Sequence, residues 1–493
     1  RFLADESTIT NFINNENGIL TTNGETVITN LTNNNKVEMN DDNEFGTVTN
    51  NSIIDSKGTY DKIIHLINNE TGKLTSHEKI LITKADNIGE LLLNGEDEIT
   101  ELNNTGVVKA INTTVFTTIN NNPKGSIDVK DDTTVTTLNN IGSNTDLAEF
   151  VSDNKIVFDG VVTNQNGKIT LKGDVTFKDD VQNNVGGIMV VDKSTIDDVD
   201  NHATFEQNIN NAGELTLKSV SNSVNTLTNS GTFVTNTDTV FNGVVVSQGT
   251  SSSEATVTTD SNTVFKDVVT SKEYSNIKVV GNTTFEDAVN IELNGVVTTE
   301  ASKISGVENT TVFSELITNA GTLTLGNTLN TVTDLLNSGT VNASKETNFE
   351  KVVNLAGSRS IINIDFKSTL NELDNKGTVN INAATTLNGP ITGDGTIKFT
   401  LGNSTLKTTI EKDMKIALSR TGVLTIDDDG VLNMNRGDSW TDNSRILLGS
   451  PNSTLYYNDL VSNARLVANK GYIYLESGKL QVVTDAEIKQ ANR

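Results

Sequence analysis

Three histidines, His65, His77 and His202, and the acidic runs Asp131-Asp132, Asp179-Asp180, Asp197-Asp198 and Asp427-Asp428-Asp429 have the most chemistry to offer. Paired carboxylates serve glycoside chemistry when one acts as acid and the other as base or nucleophile. Clustered acidic oxygens suit calcium, and histidine titrates near neutrality and shuttles protons or binds metals. The histidines stand in contexts with no nucleophile or carboxylate signature, as residues at corners or on the surface do. Adjacent strand residues point to opposite faces, so a doublet forms a catalytic pair only where a bend intervenes. Asp427 to Gly430 reads as a turn able to bind calcium, yet the Gly-Gly-x-Gly-x-Asp nonapeptide of calcium-loaded β-rolls is missing. No nucleophile elbow, His-Glu-x-x-His helix or Walker-type phosphate loop occurs. With no cysteine, disulfides, thiolate metal sites and cysteine nucleophiles are all removed. The expectation is a chain with no catalytic, cofactor-binding or metal-binding residues, calcium at residues 427–430 being the weaker alternative.

A second group of candidates is aromatic. Trp440, Tyr456, Tyr457, Tyr472 and Tyr474 gather near the end of a chain that holds 1 Trp and 6 Tyr in all. Such residues either cover the open end of a core or form a partner-contact patch.

Composition narrows what must position these residues. Apolar residues make up 34% of the 493, below the usual globular share, yet Val, Ile and Leu clusters recur throughout, which suits a thin continuous core. Only 3 prolines occur, and Thr, Val and Ile favour strands over disorder. The formal charge of −26 repels phosphate backbones, so nucleic acid is not an expected partner. No apolar run is long enough to cross a membrane as a helix. The opening Arg1-Phe2-Leu3 reads as a processed or excerpted polypeptide.

Internal repetition carries the architecture. A phrase of Asn, one or two residues and Gly returns at Asn104-Thr105-Gly106, Asn211-Ala212-Gly213, Asn229-Ser230-Gly231, Asn319-Ala320-Gly321, Asn337-Ser338-Gly339 and Asn375-Lys376-Gly377. Alternating residues such as Leu215-Thr216-Leu217 follow, with both leucines on one strand face. Asn and Gly are expected to supply left-handed backbone at the corners. The turn glycines recur at about 17–20 residues, a solenoid period. Phe177 and Phe285, Phe205 and Phe313, and Phe241 and Phe349 each stand 108 positions apart, as do Gly213 and Gly321, Ile196 and Ile304, and Val199 and Val307. Residues 173–245 therefore match 281–353 without a gap, a duplication that an architecture extendable along one axis accepts. Helical repeats and propeller blades need longer units and other signatures. The expected fold is all-β, a parallel β-helix (β-solenoid) over residues 1–400. Asparagines should ladder at its corners. Residues 401–493, where the phrases thin out, are expected to form atypical C-terminal coils or a cap with a possible interaction role.

The phrases Asn-Ala-Gly-Thr-Leu-Thr-Leu at 319–325 and Asn-Ser-Gly-Thr-Val at 337–341 resemble the passenger regions of bacterial autotransporter surface proteins and related large adhesins. The likeness covers roughly residues 10–400. It implies a right-handed β-helix exported and displayed at the outer cell surface, and it carries no functional residues across. No translocator barrel follows within the sequence, so a removed barrel or a self-standing secreted subunit is expected. The function expected is non-enzymatic: an extracellular or cell-surface structural or adhesive protein whose partners are its own copies or host and neighbouring-cell molecules. The alternatives are a self-assembling subunit of a filament or surface layer and, from another class, a polysaccharide lyase or glycosidase.

Overall fold

The computed structural model describes residues 1–196, 199–304, 306–411, 413–434, 439–440, 444–458, 465–468 and 472–477. For residues 196, 199, 303, 304, 434, 439, 440, 457, 458, 465–468 and 472–477 it describes the backbone alone. Every regular element among them is a strand. The chain divides into two compact units, Arg1–Asn242 and Gly243–Arg493.

In the first unit most coils contribute one short and one long strand, the long one being divided into Ile156–Phe158 and Val162–Gln165 in one coil and Val175–Phe177 and Val181–Asn183 in the next, and these strands pair in parallel with those of the neighbouring coils. Glu90–Leu93 illustrates the short strand. Leu91 and Leu93 are buried while Glu90 and Leu92 face outward, and Leu91 stands in register with Leu74 and Val108. The long strand Lys79–Asn87 buries Ile80 and Ile82, turns both Thr83 and Lys84 outward, then buries Ala85 and Asn87. Two outward neighbours in succession reverse the phase of a period-two pattern. The strand folds over there, giving the coil a third side without breaking the ladder.

Coil length is set by the spacing of one buried asparagine per coil. From Asn14 to Asn140 the steps are 17 to 19 residues. Two coils are longer, 24 residues between Asn140 and Asn164 and 28 between Asn183 and Asn211. The second holds an antiparallel hairpin, Thr195–Ile196 with Val199–Asp200, outside both parallel sheets. In the second unit Lys303–Ile304 and Val307–Glu308 form the same hairpin, displaced by 108 residues. Both arms are tied down at the base by a buried asparagine. Asn201 donates to Lys172 O (3.0 Å) and Asp192 O (2.8 Å), and Asn309 donates to Val280 O (2.8 Å).

The core of each unit is a column of stacked like residues. Phe158, Phe177 and Phe205 stack at 4.9 and 4.6 Å between ring centres, and Phe265, Phe285 and Phe313 at 4.8 and 4.6 Å. Fully burying such a ring contributes about 2–3 kcal/mol. Beyond Thr400 parallel pairing continues in the second unit through Asn403–Leu406, Val423–Ile426 and Arg445–Leu448. Beside it lies a separate three-stranded sheet of Val431–Met434, Thr454–Asn458 and Tyr472–Ser477.

The repeat glycines serve a different purpose from the one expected. Gly106, Gly213, Gly231, Gly321 and Gly339 are not in the left-handed region. A Cβ on Gly106 would lie 2.2 Å from Gly89 O, and one on Gly231 2.2 Å from Gly213 O. Coils stack so closely at this corner that the carbonyl beneath leaves no room for a side chain.

Candidate functional site

The described histidine and aspartate candidates lie on corners and outer faces, each with its own partners. His65 lies on the long strand Tyr60–Asn68 with its Nε2 2.7 Å from Asp86 Oδ2 in the next coil. Burial pushes the Asp86 carboxyl up, but hydrogen bonds from Asn103 and His65 and the charge of Lys84 outweigh it and hold the group below its ordinary value. His77 follows a short strand, its Nε2 2.7 Å from Asp55 Oδ1, while Lys57 Nζ reaches Asp55 Oδ2 at 3.0 Å. Burial raises Asp55 as well, and the bonds from Lys57 and His77 bring it below the usual carboxylate range. His202 Nδ1 meets Ser221 Oγ at 2.7 Å. Each histidine thus has a separate polar partner one coil away, and none shares a site with another.

The doublets Asp131-Asp132 and Asp179-Asp180 sit at bends rather than inside strands, where the first carboxylate accepts the N–H of the second residue. Asp131 Oδ1 accepts from Asp132 N and Asp179 Oδ1 from Asp180 N, each at 2.8 Å. Asp180 in turn accepts from Asn208 N and Nδ2 at 3.1 and 3.0 Å. Asp197 and Asp198 lie outside the described residues. In the triplet, Asp427 Oδ1 accepts from Asp428 N (2.9 Å), Asp428 pairs with Lys407 Nζ (3.2 Å), and Asp429 Oδ1 accepts from Asn452 Nδ2 (2.8 Å). Three neighbours of three kinds draw these carboxylates apart. Among the described residues no group of three acidic or histidine side chains is placed to hold a metal ion.

Of the aromatic candidates, Tyr456 is half-buried on Thr454–Asn458. Backbone register sets it opposite Asn433 on one side and Tyr474 on the other, sets Tyr457 opposite Met434 and Tyr472 opposite Thr454, and sets Trp440 opposite Leu418. The side chains of Trp440, Tyr457, Tyr472 and Tyr474 lie outside the described residues.

The polar groups that do converge are structural. Twelve buried asparagines of the first unit, Asn14 through Asn229, are joined by eleven bonds in which Nδ2 of one donates to Oδ1 of the next at 2.7–2.9 Å. In the second unit Asn319, Asn337, Asn354 and Asn375 are joined by three bonds of the same kind, and Asn375 Nδ2 donates to Thr396 O instead. Asn319 Oδ1 has no hydrogen-bond partner, because its register neighbour in the coil before is Ile291. The outer asparagines run the other way. Asn120 donates to Asn103 and Asn139 to Asn120, each toward the preceding coil, at 2.8 and 2.9 Å.

Two carboxylates that sequence reasoning did not single out are inside the column. Asp61 accepts from Ser56 Oγ (2.5 Å), Asn43 N (3.0 Å) and Asn43 Nδ2 (2.9 Å) and is 0% exposed. Asp97 accepts from Ser76 Oγ (2.7 Å), Ile80 N (2.9 Å) and Gly95 N (3.2 Å) and is 1% exposed. Burial pushes both carboxyls up, and those hydrogen bonds only partly offset it. The alternation that places Asp61 on the face of Ile63, and Asp97 on that of Ile99, was the signal available.

Comparison of the chain with known protein families, with curated proteins and with solved structures finds no match in any of the three.

Proposed function

We propose that this chain is a non-enzymatic scaffold of an outer surface, a structural or adhesive β-solenoid whose solvent-facing flanks contact a host, a neighbouring cell or its own copies. The observation that carries this reading is the destination of the polar side chains. Asparagine, the residue the chain uses most lavishly at its corners, is spent on coil-to-coil amide bonds, and His65, His77 and Asp428 are each engaged by a single neighbouring partner. A stack satisfied internally in this way is stiff along its axis and presents rows of Thr, Asn, Lys and Glu at regular strand spacing. Rows of that kind suit repeated weak contacts, which gain strength by multivalency. The acidic balance, −26 overall, keeps such surfaces apart in the absence of a complementary partner. Display outside the cell, in the manner of autotransporter passengers and large adhesins, accords with this composition.

The test is twofold. Purified full-length chain is incubated with acidic and neutral polysaccharides and viewed by negative stain across a concentration series, alongside binding to intact cells. Saturable attachment to cells, with no release of reducing ends or unsaturated sugars, supports the scaffold reading. Glycan turnover lost on replacing Asp179 and Asp180 would move the protein to the polysaccharide-degrading class. Regular polymers forming from the chain alone would make self-assembly its primary activity.

A further inference from the structure

Several asparagines stand directly before glycine, the pairing in which the glycine nitrogen most readily attacks the asparagine side-chain carbonyl. The fold treats these pairs differently. Gly18 N is bonded to Asn15 O at 2.7 Å and Gly295 N to Glu292 O at 2.9 Å, so at Asn17 and Asn294 the attacking nitrogen is held by a backbone carbonyl, a very weak base. At Asn94 the next residue's N–H points instead to a carboxylate, with Gly95 N 3.2 Å from Asp97 Oδ2. Asn94 is half-buried just before the bend at Gly95 and Glu96 that links strands Glu90–Leu93 and Glu98–Asn104, while Asp97 is buried. Gly24 N repeats the contact with Asp41 Oδ2 at 3.0 Å, but Asp41 is exposed and its carboxylate is hydrated, which makes Asn94 the sharper case.

We propose that Asn94-Gly95 is a self-modification site at which Asp97 acts as general base for intramolecular succinimide formation. Asp97 Oδ2 takes the proton from Gly95 N. The nitrogen, attacking perpendicular to the amide plane in which that proton lay, forms a bond to Asn94 Cγ. The Cγ–Nδ2 bond breaks and the nitrogen leaves as ammonia, carrying the proton that Asp97 returns. Solvent water then opens the ring at either carbonyl to give aspartyl or isoaspartyl, and the backbone stays whole. Ser76 Oγ and Ile80 N hold the carboxylate in place by bonds of 2.7 and 2.9 Å, so the base is positioned before the reaction begins. Its burial strengthens it as a proton acceptor. The product carries a new carboxylate beside one that is already buried, a one-way change in charge at this corner.

The experiment incubates the folded full-length chain at neutral pH and follows Asn94, Asn17 and Asn294 by peptide mass mapping. Loss of ammonia, then replacement of the amide by an acid, marks the reaction. Asn94 is expected to react roughly 10²-fold faster than either of the others, the lower end of what a positioned base contributes. In denaturant the three rates should become alike. Asp97→Asn, where circular dichroism shows it folded, should lose the lead. Equal or slower reaction at Asn94 in the folded chain overturns the proposal, as does a lead that persists in denaturant or in folded Asp97→Asn.

Discussion

Asn104 donates its Nδ2 to Asn121 Oδ1 across 2.8 Å, toward the next coil, while the adjacent Asn120 donates to Asn103, also across 2.8 Å, toward the previous one. Neighbouring residues on one strand thus carry amide ladders of opposite direction, one inside the column and one outside. Asn104 also donates to Gly106 O and accepts from Gly106 N, so one side chain closes the corner and joins it to the next.

Replacing a rung in mid-ladder should therefore cost more than replacing one at a break. Asn104→Ala takes from Asn87 Nδ2 its shortest bond, leaving it Gly89 O and Val107 O, and takes from Asn121 Oδ1 its donor, both groups buried, for a loss of about 3 kcal/mol. Asn319→Ala removes a residue whose Oδ1 is already unpartnered, and about half that cost is expected. Hydrogen exchange of the flanking strands reads each effect locally. Equal costs would show that the amide bonds along the column contribute nothing beyond the corner itself.

The glycine corner is a second point of sensitivity. Gly106→Ala places a methyl group 2.2 Å from Gly89 O and 2.3 Å from Ile88 O, both backbone atoms that cannot rotate away. A loss of about 4 kcal/mol, at the severe end for one substitution, is expected in urea unfolding of the first unit. Gly306→Ala, with nothing within 4 Å but a φ of +81°, should cost only the strain of left-handed backbone, about 1 kcal/mol.

Acid should favour part of the first unit. Burial holds Asp61 and Asp97 above the ordinary carboxyl value, so the folded chain binds protons more tightly there than the unfolded one. Their contribution is full below the unfolded pKa of about 3.9 and is lost as pH rises through the folded values. For Asp55 and Asp153 burial is outweighed by hydrogen bonds from Lys57 and His77 and from Lys130 and Lys172, and their contribution is lost as pH falls. These ion pairs are partly exposed and count for less. The gain in stability of Asp61→Asn or Asp97→Asn over the native chain should grow from about pH 4 to about pH 7. A pH-independent difference in chemical denaturation would contradict this.

The two arms should detach from the column without unfolding it. Asn201→Ala removes the bonds to Lys172 O and Asp192 O that close the hairpin base, yet Phe205 and its stacked partner Phe177 lie on the strands beyond. Limited proteolysis at Lys193 should quicken about five- to thirtyfold, as expected for a local loss of about 1–2 kcal/mol, with unchanged far-ultraviolet dichroism. Asn309→Ala should do the same at Lys303.

The coil period, the inward faces and the 108-residue offset were legible along the chain, because parallel stacking repeats the same environment and local alternation alone states which residues face it. Leu215 and Leu217 or Phe177 and Phe205 need no distant partner to be recognised as core. The matching hairpins were present in the sequence as Ile196 and Val199 against Ile304 and Val307, but short apolar pairs look alike in a coil and in an arm. What contact between coils decided lies beyond one-dimensional pattern: the direction of each amide ladder, the break at Ile291, the carbonyl that forbids a Cβ on Gly106, and the enclosure of Asp61 and Asp97. These depend on which atom of the neighbouring layer lies within about 3 Å, and hydrogen-bond direction and steric exclusion are settled at that range.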